Sequence, residues 1–214
     1  MILELNKQLA HILWIGGATD SGKSTVAHNL AQRYGIFIYH YDKVDNEQME
    51  KLAKTIPEVH QFFNASMEER WIHPTPKMMF DFLLILFPHR FQLVIESLLE
   101  MPKDKPIIVE GFGLLPELVH PLLSNHHQAI WFVPTEKFKW ESMTRRGKPS
   151  FASSLTNPEQ ARINLFTRDM MLADYYRKQV LSSGYTLCEI DGSQSADEVT
   201  DLVEFRFAKY LTKA

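Results

Sequence analysis

The sequence predicts an α/β fold: a five-stranded, mainly parallel sheet with helices on both faces, which makes three layers. Three observations lead to this prediction. Short apolar runs, typical of buried parallel strands, alternate with segments of helical periodicity along the chain. The first apolar run ends in a glycine-rich loop that leads directly into a helix. No internal repeat or low-complexity tract interrupts the alternation, so a repeat architecture is excluded.

The strands are predicted from apolar runs bounded by glycine, proline or polar residues. The five runs are 11–15, 36–39, 106–110, 129–133 and 186–190. The third and fourth runs, Pro-Ile-Ile-Val-Glu and Ala-Ile-Trp-Phe-Val, are apolar almost throughout. Strands covered on both faces have this composition, so we expect these two in the interior of the sheet.

Helix boundaries are predicted from capping residues. The segment 23–34 has apolar residues at helical spacing and is closed by Gly35. Thr135 should cap a helix that runs to about Arg145. Asn157 should cap a long helix to about 183, with Gln160 at the reciprocal capping position. Ser195 and Glu198 form a second capping-box pattern, which begins the last helix.

The region between the second and third strands is predicted to be a helical insertion. Residues 43–105 contain no further strand-like block, and four prolines are expected to break the helices: Pro57, Pro74, Pro76 and Pro88. With 214 residues, we expect one domain over 1–214 that carries this insertion and a lid over 145–168.

Composition limits the possible partners. The net charge of −3 and the pI near 6.3 argue against broad nucleic-acid binding. The N-terminus lacks the pattern of a secretory signal, and the longest apolar run, 82–87, is too short to span a bilayer. We therefore expect a cytoplasmic protein with no membrane partner. The single cysteine, Cys188, is expected to be buried in a strand. The oligomeric state stays open.

The glycine-rich loop carries the most specific signal. Residues 17–24, Gly-Ala-Thr-Asp-Ser-Gly-Lys-Ser, fit the phosphate-loop pattern of Gly, four residues, Gly, Lys, then Ser or Thr, between a strand and a helix. Backbone N–H groups cradle phosphate oxygens in such a loop, Lys23 reaches the β- and γ-phosphates, and the Ser24 hydroxyl binds Mg²⁺. The predicted nucleotide-binding residues are Gly17, Thr19, Asp20, Ser21, Gly22, Lys23, Ser24 and Thr25.

The chain resembles the P-loop kinase group, which includes adenylate, shikimate, gluconate and uridine kinases. The resemblance rests on this loop, on the order of strands and helices, and on an arginine-bearing segment before the last strand. The resemblance covers nearly the whole chain in layout. It implies a P-loop NTPase fold, ATP and Mg²⁺ as cofactors, and phosphoryl transfer to a small-molecule acceptor. The individual member is not identified by it.

Two acidic residues match positions of the group that serve catalysis. Asp42 follows the second strand, where the resemblance implies a residue that contacts the acceptor or accepts its proton. A turn-forming aspartate is the alternative, and Asp45 is the weaker candidate. Glu110 ends the third strand, where the group holds the magnesium ion or positions the nucleophile. Gly111 and Gly113 follow it and would either admit an acceptor or simply form a turn.

The lid prediction rests on arginines near a polar, breaker-containing stretch, 147–150. The predicted catalytic residues are Lys23, Asp42, Glu110, Arg146 and Arg168. Arg145 and Arg162 are further candidates for the main lid arginine, and helix-end charges or a solvated face are the alternatives. Asn164, one turn before Arg168, is expected to act with it. By helical spacing, Arg162 shares a face with Asp169, whereas Arg168 points about 100° away from it.

The acceptor is predicted to bind to the helical insertion. The segment 67–90 combines apolar and basic side chains, including Trp71, His73 and Arg90, that suit a partly anionic or aromatic molecule, although core packing explains its Met and Phe residues. His40 is a further possible contact. The loop 191–193 is expected near the nucleotide base. The alternative function is a nucleotide-binding regulatory ATPase that switches a protein partner.

Overall fold

The computed structural model describes residues 2–211, and its centre is a sheet of five parallel strands. The strands are β1 (Ile12–Gly17), β2 (Phe37–His40), β3 (Ile107–Glu110), β4 (Ala129–Pro134) and β5 (Leu187–Ile190). They lie in the order β2-β3-β1-β4-β5. The connection after β1 therefore runs to one side of the sheet, toward β2, and the connection after β3 runs to the other side, toward β4. The α/β prediction is confirmed, and all five strands lie within two residues of their predicted positions.

Helices occupy the connections between the strands. They are α1 (Ile2–Gln8), α2 (Lys23–Tyr34), α3 (Asp45–Ala53), α4 (Pro57–Asn64), α5 (Met67–Trp71), α6 (Pro76–Leu99), α7 (Pro116–Val119), α8 (Glu136–Arg145), α9 (Pro158–Ser182) and α10 (Ala196–Phe207). The capping predictions for Thr135, Asn157 and Ser195 are confirmed, because each side chain accepts a hydrogen bond from the backbone N–H three residues on.

The sheet buries different residues on its two faces, as the alternation of side chains along a strand requires. In β1, Ile12 and Trp14 belong to a core with α6 and α9, whereas Leu13 and Ile15 belong to a core with α2 and α10. Each β1 residue is essentially inaccessible to solvent. This double burial explains why the strand sequences are continuously apolar.

Two sequence-based expectations were wrong in detail, and one helix was missed. Pro88 lies inside α6 and does not end it, because flanking buried residues such as Phe87 and Phe91 hold the helix in the core on both sides of the proline. Gln160 does not cap back onto Asn157; its amide donates to Asn164 instead. The helix α1 was not predicted at all.

The helix α6 is long and apolar enough, by length and composition alone, to cross a membrane. A core helix of a soluble protein passes the same test. In this fold α6 packs against α9 and contributes residues to two apolar clusters, one under the sheet and one with α3 and α4. It also carries Arg90, whose side chain is 0% exposed.

The Arg90 guanidinium anchors the start of the insertion to α6. Its Nε donates to Gln48 Oε1 at 2.9 Å, its Nη2 donates to the Tyr41 carbonyl at 2.8 Å, and its Nη1 pairs with Asp45 at 2.5 Å. The guanidinium carbon also lies 3.9 Å from the centre of the Tyr41 ring. The Arg90 side chain is inaccessible to solvent and every one of its partners is a protein group, so the expectation that Arg90 serves an acceptor pocket is wrong.

We expect Arg90→Met to lower the free energy of unfolding by about 2–3 kcal/mol, because it removes charge-assisted hydrogen bonds and a cation–π contact. Urea denaturation measures this loss. Lys77→Met is the matched control: Lys77 pairs with Asp81 on an exposed face of the same helix, and such pairs contribute at most about 0.5 kcal/mol. Equal losses in the two variants would contradict the anchoring role.

Candidate active site

The residues predicted on the phosphate loop, with Asp42 and Glu110, lie at the edge of the sheet where all five strands end. Parallel pairing aligns His40 of β2 with Glu110 of β3, and Ile15 of β1 with the same glutamate. The phosphate loop therefore leaves β1 next to Glu110. Open parallel sheets bind ligands at this edge, outside the carboxyl ends of the strands. The binding point lies where the connections after neighbouring strands run to opposite sides of the sheet.

The phosphate loop is tightly packed from behind. Gly17 has φ of 117°, and a Cβ there would lie 2.0 Å from the Phe132 carbonyl oxygen of the neighbouring strand. No other residue fits this position. The Ser21 hydroxyl donates to the Ala18 carbonyl at 2.7 Å, which closes the loop on itself. Gly22 precedes α2 in a left-handed conformation, and Thr25 lies in the first turn of that helix.

Lys23 is buried beneath the loop, where its ammonium group donates to the Ala18 carbonyl at 2.6 Å. Burial lowers the pKa of Lys23, and the negative charges of Asp42 and Glu110 oppose this shift. The ammonium group is therefore held by the Ala18 carbonyl and stabilised by the charges of two nearby carboxylates. This arrangement presents a cation at the phosphate loop.

Ser24, Glu110 and His40 form one hydrogen-bonded group. The Ser24 hydroxyl donates to Glu110 Oε2 at 2.9 Å, and His40 Nδ1 lies 2.7 Å from Glu110 Oε1. Glu110 is almost fully buried, so both of its oxygens are partnered. The sequence predicted Ser24 and Glu110 for the metal site, and their side chains are in direct contact. Among residues 2–211 there is no cluster of three or more acidic, histidine or cysteine side chains arranged to hold a metal ion.

Asp42 lies in a short 3-10 turn, Tyr41–Val44, immediately after β2. The residue lines the cleft above the phosphate loop and is exposed to solvent there. Desolvation by the surrounding protein atoms raises the pKa of Asp42 to about 6; Lys23 opposes the increase and Glu110 adds to it. A carboxyl group that ionises near neutral pH can accept a proton in a reaction. Asp45, the weaker candidate, is bound to Arg90 instead.

Gly111 and Gly113 do not open toward an acceptor. A Cβ on either residue would lie 2.2 Å from the side chain of Tyr41, which packs over both of them. The two glycines therefore make room for the aromatic residue that precedes Asp42. Tyr41 also contacts Phe87 and Phe112 edge-on, so the turn carrying Asp42 is fixed by an aromatic core.

Lys139, the most buried charged residue at the site, was not predicted from the sequence. Lys139 lies on α8, its side chain is 1% exposed, and its ammonium group contacts Thr19, Asp20 Oδ2 at 2.7 Å and Asp169 Oδ2 at 2.6 Å. Thr19 also donates to Asp169. The only signal in the sequence was a lysine between Phe138 and Trp140, which does not distinguish a buried cation from an exposed one.

Asp20 receives two further cations from the segment after α8. Arg146 donates to Asp20 Oδ1 at 2.7 Å, and Lys148 donates to the same oxygen at 2.9 Å. Burial of Asp20 opposes its ionisation, but Lys139 and Lys148 hold its pKa below the usual value. Arg146 and Lys148 thus lie directly at the phosphate loop, as the lid prediction expects for Arg146. Lys148 was not singled out by the sequence.

The arginines of α9 do not face the cleft in this structure. Arg168 is buried and donates from Nε to Asp169 Oδ1 at 2.9 Å, whereas Arg162 contacts Thr144 and lies over the Trp140 ring. The shared helix face therefore does not bring Arg162 into contact with Asp169, which pairs with Arg168. A long arginine side chain can fold back to its sequence neighbour, so helical spacing alone did not determine the pair.

Asn164 fastens α9 to the insertion. Its amide nitrogen donates to the carbonyls of Trp71, Ile72 and Pro74 at 3.1–3.3 Å. Contrary to the expectation that it acts with Arg168, its amide is therefore not available to the cleft. Two further contacts join the same regions: Glu68 accepts hydrogen bonds from Thr156, and the Trp71 and Phe151 rings lie 4.8 Å apart. The end of the predicted lid is therefore packed against the predicted acceptor region.

These residues surround a cleft of about 670 Å³, within the size range of small-molecule sites. The lining includes the phosphate loop, Asp42, Arg145 at the end of α8, and the Arg146 and Lys148 side chains that contact Asp20 of the loop. Phe138, Ile190 at the end of β5, Gln194, Ser195 and Ala196 also line the cleft. Asp191, in the turn between them, accepts hydrogen bonds from Ser193 and stabilises that turn.

No protein-family model matches this sequence. Among curated proteins, the chain is similar to the 2-phosphoglycerate kinase of Methanothermobacter thermautotrophicus strain Delta H, with 27% identity over 131 residues. The match covers 58% of this chain but only 42% of that kinase, so the chain spans less than half of its length.

One solved structure has a similar architecture. Deoxyadenosine kinase from M.mycoides superposes with a TM-score of 0.50 over 92% of this chain and 99% of that chain, at 12% sequence identity. A gluconokinase from Sinorhizobium meliloti 1021 covers 94% of this chain and 92% of its own, with 15% identity and a TM-score of 0.44. Identities this low establish the fold alone. The chain therefore has the fold of the P-loop kinases, with its phosphate loop at the carboxyl edge of a five-stranded parallel sheet.

Proposed function

We propose that this protein is a kinase that transfers the terminal phosphoryl group of ATP to a small-molecule acceptor, with Mg²⁺ as cofactor. One observation carries the proposal: Lys23, the Ser24–Glu110 pair and Asp42 converge on one cleft at the phosphate loop. A phosphate loop alone would support any nucleotide-binding protein. The additional carboxylate of Asp42, open to the same cleft, supports phosphoryl transfer.

The residues present fit a magnesium nucleotide. Ser24 and Glu110 offer oxygen atoms, which Mg²⁺ prefers, and they already lie 2.9 Å apart. These two residues would hold the ion, with Glu110 acting directly or through water. When bound, the ion neutralises charge on the phosphate oxygens. His40 fixes the orientation of the Glu110 carboxylate by occupying its other oxygen.

The role of Asp42 is that of a general base. The acceptor hydroxyl oxygen forms a bond to the γ-phosphorus while the bond from that phosphorus to the β–γ bridging oxygen breaks, and the hydroxyl proton passes to Asp42. ADP leaves with the bridging oxygen. Lys23 and Arg146 stabilise the negative charge on the transferring group. A direct role for Arg168 stays a prediction, since it requires the arginine to leave Asp169.

The acceptor class is approached through the named relatives. The curated relative is a 2-phosphoglycerate kinase, and the solved neighbour with the higher TM-score is a deoxyadenosine kinase. A phosphorylated hydroxy acid and a deoxynucleoside are therefore the first two acceptors to test. We propose that the acceptor lies between Asp42 and the insertion, residues 43–105, because the insertion begins directly after Asp42, the proposed general base.

The proposal is tested by measuring ATP consumption and thermal stability with Mg-ATP against 2-phosphoglycerate, deoxynucleosides, nucleotides, sugars and sugar acids. Bound ATP should raise Tm by mass action in the wild-type protein and not in Lys23→Met. One acceptor class should accelerate ADP formation well above the rate without acceptor. If ATP binds but no acceptor accelerates turnover, the data favour the alternative function, a nucleotide-binding regulatory ATPase. Protein partners should then be sought.

A further inference from the structure

Asp20 is an unusual residue for its position in the phosphate loop. The loop binds anions, yet Asp20 places a carboxylate inside it, with a side chain only 3% exposed. Its backbone has φ of 58°, the one positive φ among non-glycine residues of the described chain, 2–211. Aspartate tolerates this conformation better than most residues, but glycine adopts it without strain. The position therefore retains a carboxylate where backbone geometry alone would favour glycine.

One oxygen of Asp20 belongs to a balanced, buried ion cluster. Asp20 Oδ2 contacts Lys139, Lys139 contacts Asp169, and Asp169 contacts Arg168. This set has two cations and two carboxylates, so its charges cancel. Asp169 is buried, which opposes ionisation, but Arg168 and Lys139 hold its pKa well below the usual range. The cluster fixes α8 and α9 to the phosphate loop and needs no further cation.

The other oxygen of Asp20 nevertheless holds two more cations. Arg146 and Lys148 both donate to Oδ1, and their side chains are 53% and 40% exposed. Both come from the segment that follows α8 and line the cleft. Counting all six groups, four cations face two carboxylates, which leaves an excess of two positive charges at the phosphate loop. A triphosphate is the ligand that matches such an excess.

We propose that Asp20 is a positioning residue that holds Arg146 and Lys148 beside the phosphate loop before nucleotide binds, and that the triphosphate then replaces Asp20 Oδ1 as their partner. This inference rests on the proposed function. Arg146 and Lys148 are exposed and long, so they can move to phosphate oxygens without displacing the buried Lys139. Asp20 thus competes with the nucleotide for two cations, and its carboxylate limits nucleotide affinity while ordering the lid.

The test is Mg-ATP affinity without acceptor, measured by isothermal titration calorimetry. We expect Asp20→Asn to tighten binding by about three- to tenfold, because two partly exposed ion pairs no longer have to be broken. In an Arg146→Gln, Lys148→Gln background, adding Asp20→Asn should change the affinity little. Asp20→Gly is a second variant that suits the positive φ and should behave like Asp20→Asn.

Asp169→Asn is the matched control. It removes a carboxylate from the same cluster but touches neither Arg146 nor Lys148, so it should not reproduce the gain in affinity. Equal tightening by Asp169→Asn, or an Asp20 effect that persists without Arg146 and Lys148, would mean that only overall charge matters, and the proposal would be overturned. Unchanged or weaker binding by both Asp20 variants would also overturn it. Wild-type protein that fails to bind Mg-ATP would refute the proposed function itself.

Discussion

Replacing Asp42 by asparagine is expected to lower kcat by about 10²–10⁴-fold without weakening the binding of Mg-ATP. Asparagine keeps the shape of the side chain but cannot accept the acceptor's proton. The nucleotide contacts of the phosphate loop stay intact, and loss of a carboxylate near Lys23 does not disfavour a polyanion. The measurement pairs steady-state kinetics with the identified acceptor and a direct titration of Mg-ATP.

Asp45→Asn is the matched control, since it makes the same chemical change three residues along the chain. The Asp45 carboxylate pairs with Arg90 and is not part of the cleft wall. We expect a small loss of stability and nearly normal kcat. A comparable loss of kcat in both variants would assign Asp42 a structural role and leave the protein without its proposed base.

The same carboxyl group should give the reaction an acid limb. Asp42 is deprotonated only above its pKa of about 6, so kcat should fall about tenfold for each pH unit below that value. The Asp42→Asn variant should lack this limb. A limb of unchanged midpoint in that variant would assign the titration to another group.

Ionisation of Asp42 should lower the stability of the fold, although the same ionisation is needed for activity. The folded pKa of Asp42 lies above the ordinary value of 3.8, so its ionisation as the pH rises through about 6 costs folding free energy. Asp42→Asn should therefore melt at a higher temperature than wild type at pH 8, and the difference should vanish near pH 4. Melting curves across this range measure the effect.

Replacing Lys23 by methionine is expected to lower turnover by about 10²–10³-fold, because one preorganised cation is lost from the transferring phosphoryl group. Methionine preserves most of the buried stem, so the fold should survive. Triphosphate binding should also weaken. The effects are read from kinetics and from the shift in Tm on adding Mg-ATP.

Lys43→Met provides the control for Lys23. Lys43 is an exposed lysine next to Asp42, so its replacement removes the same charge from the same side of the protein without touching the phosphate loop. Nucleotide binding should stay close to wild type. If Lys43→Met were as damaging as Lys23→Met, general electrostatic attraction rather than a specific contact would explain the loss.

Local sequence patterns were sufficient to predict the sheet, most helix starts and the phosphate loop. These features depend on local patterns: continuous apolar runs, capping residues such as Thr135 and Ser195, and glycine spacing. Parallel strands also end at one edge, so the convergence of Lys23, Asp42 and Glu110 followed from topology.

The pairing of charged side chains, by contrast, depends on how distant segments of the chain pack together. Lys139, Asp20 and Asp169 lie up to 149 positions apart in the chain (169 − 20), and no local pattern distinguishes Lys139 from the exposed Lys137 on the same helix. Likewise, Arg90 was expected at a pocket and is instead an internal anchor. The physical reason is that a charged side chain is buried only when distant groups neutralise it, so its role depends on partners that sequence spacing does not encode.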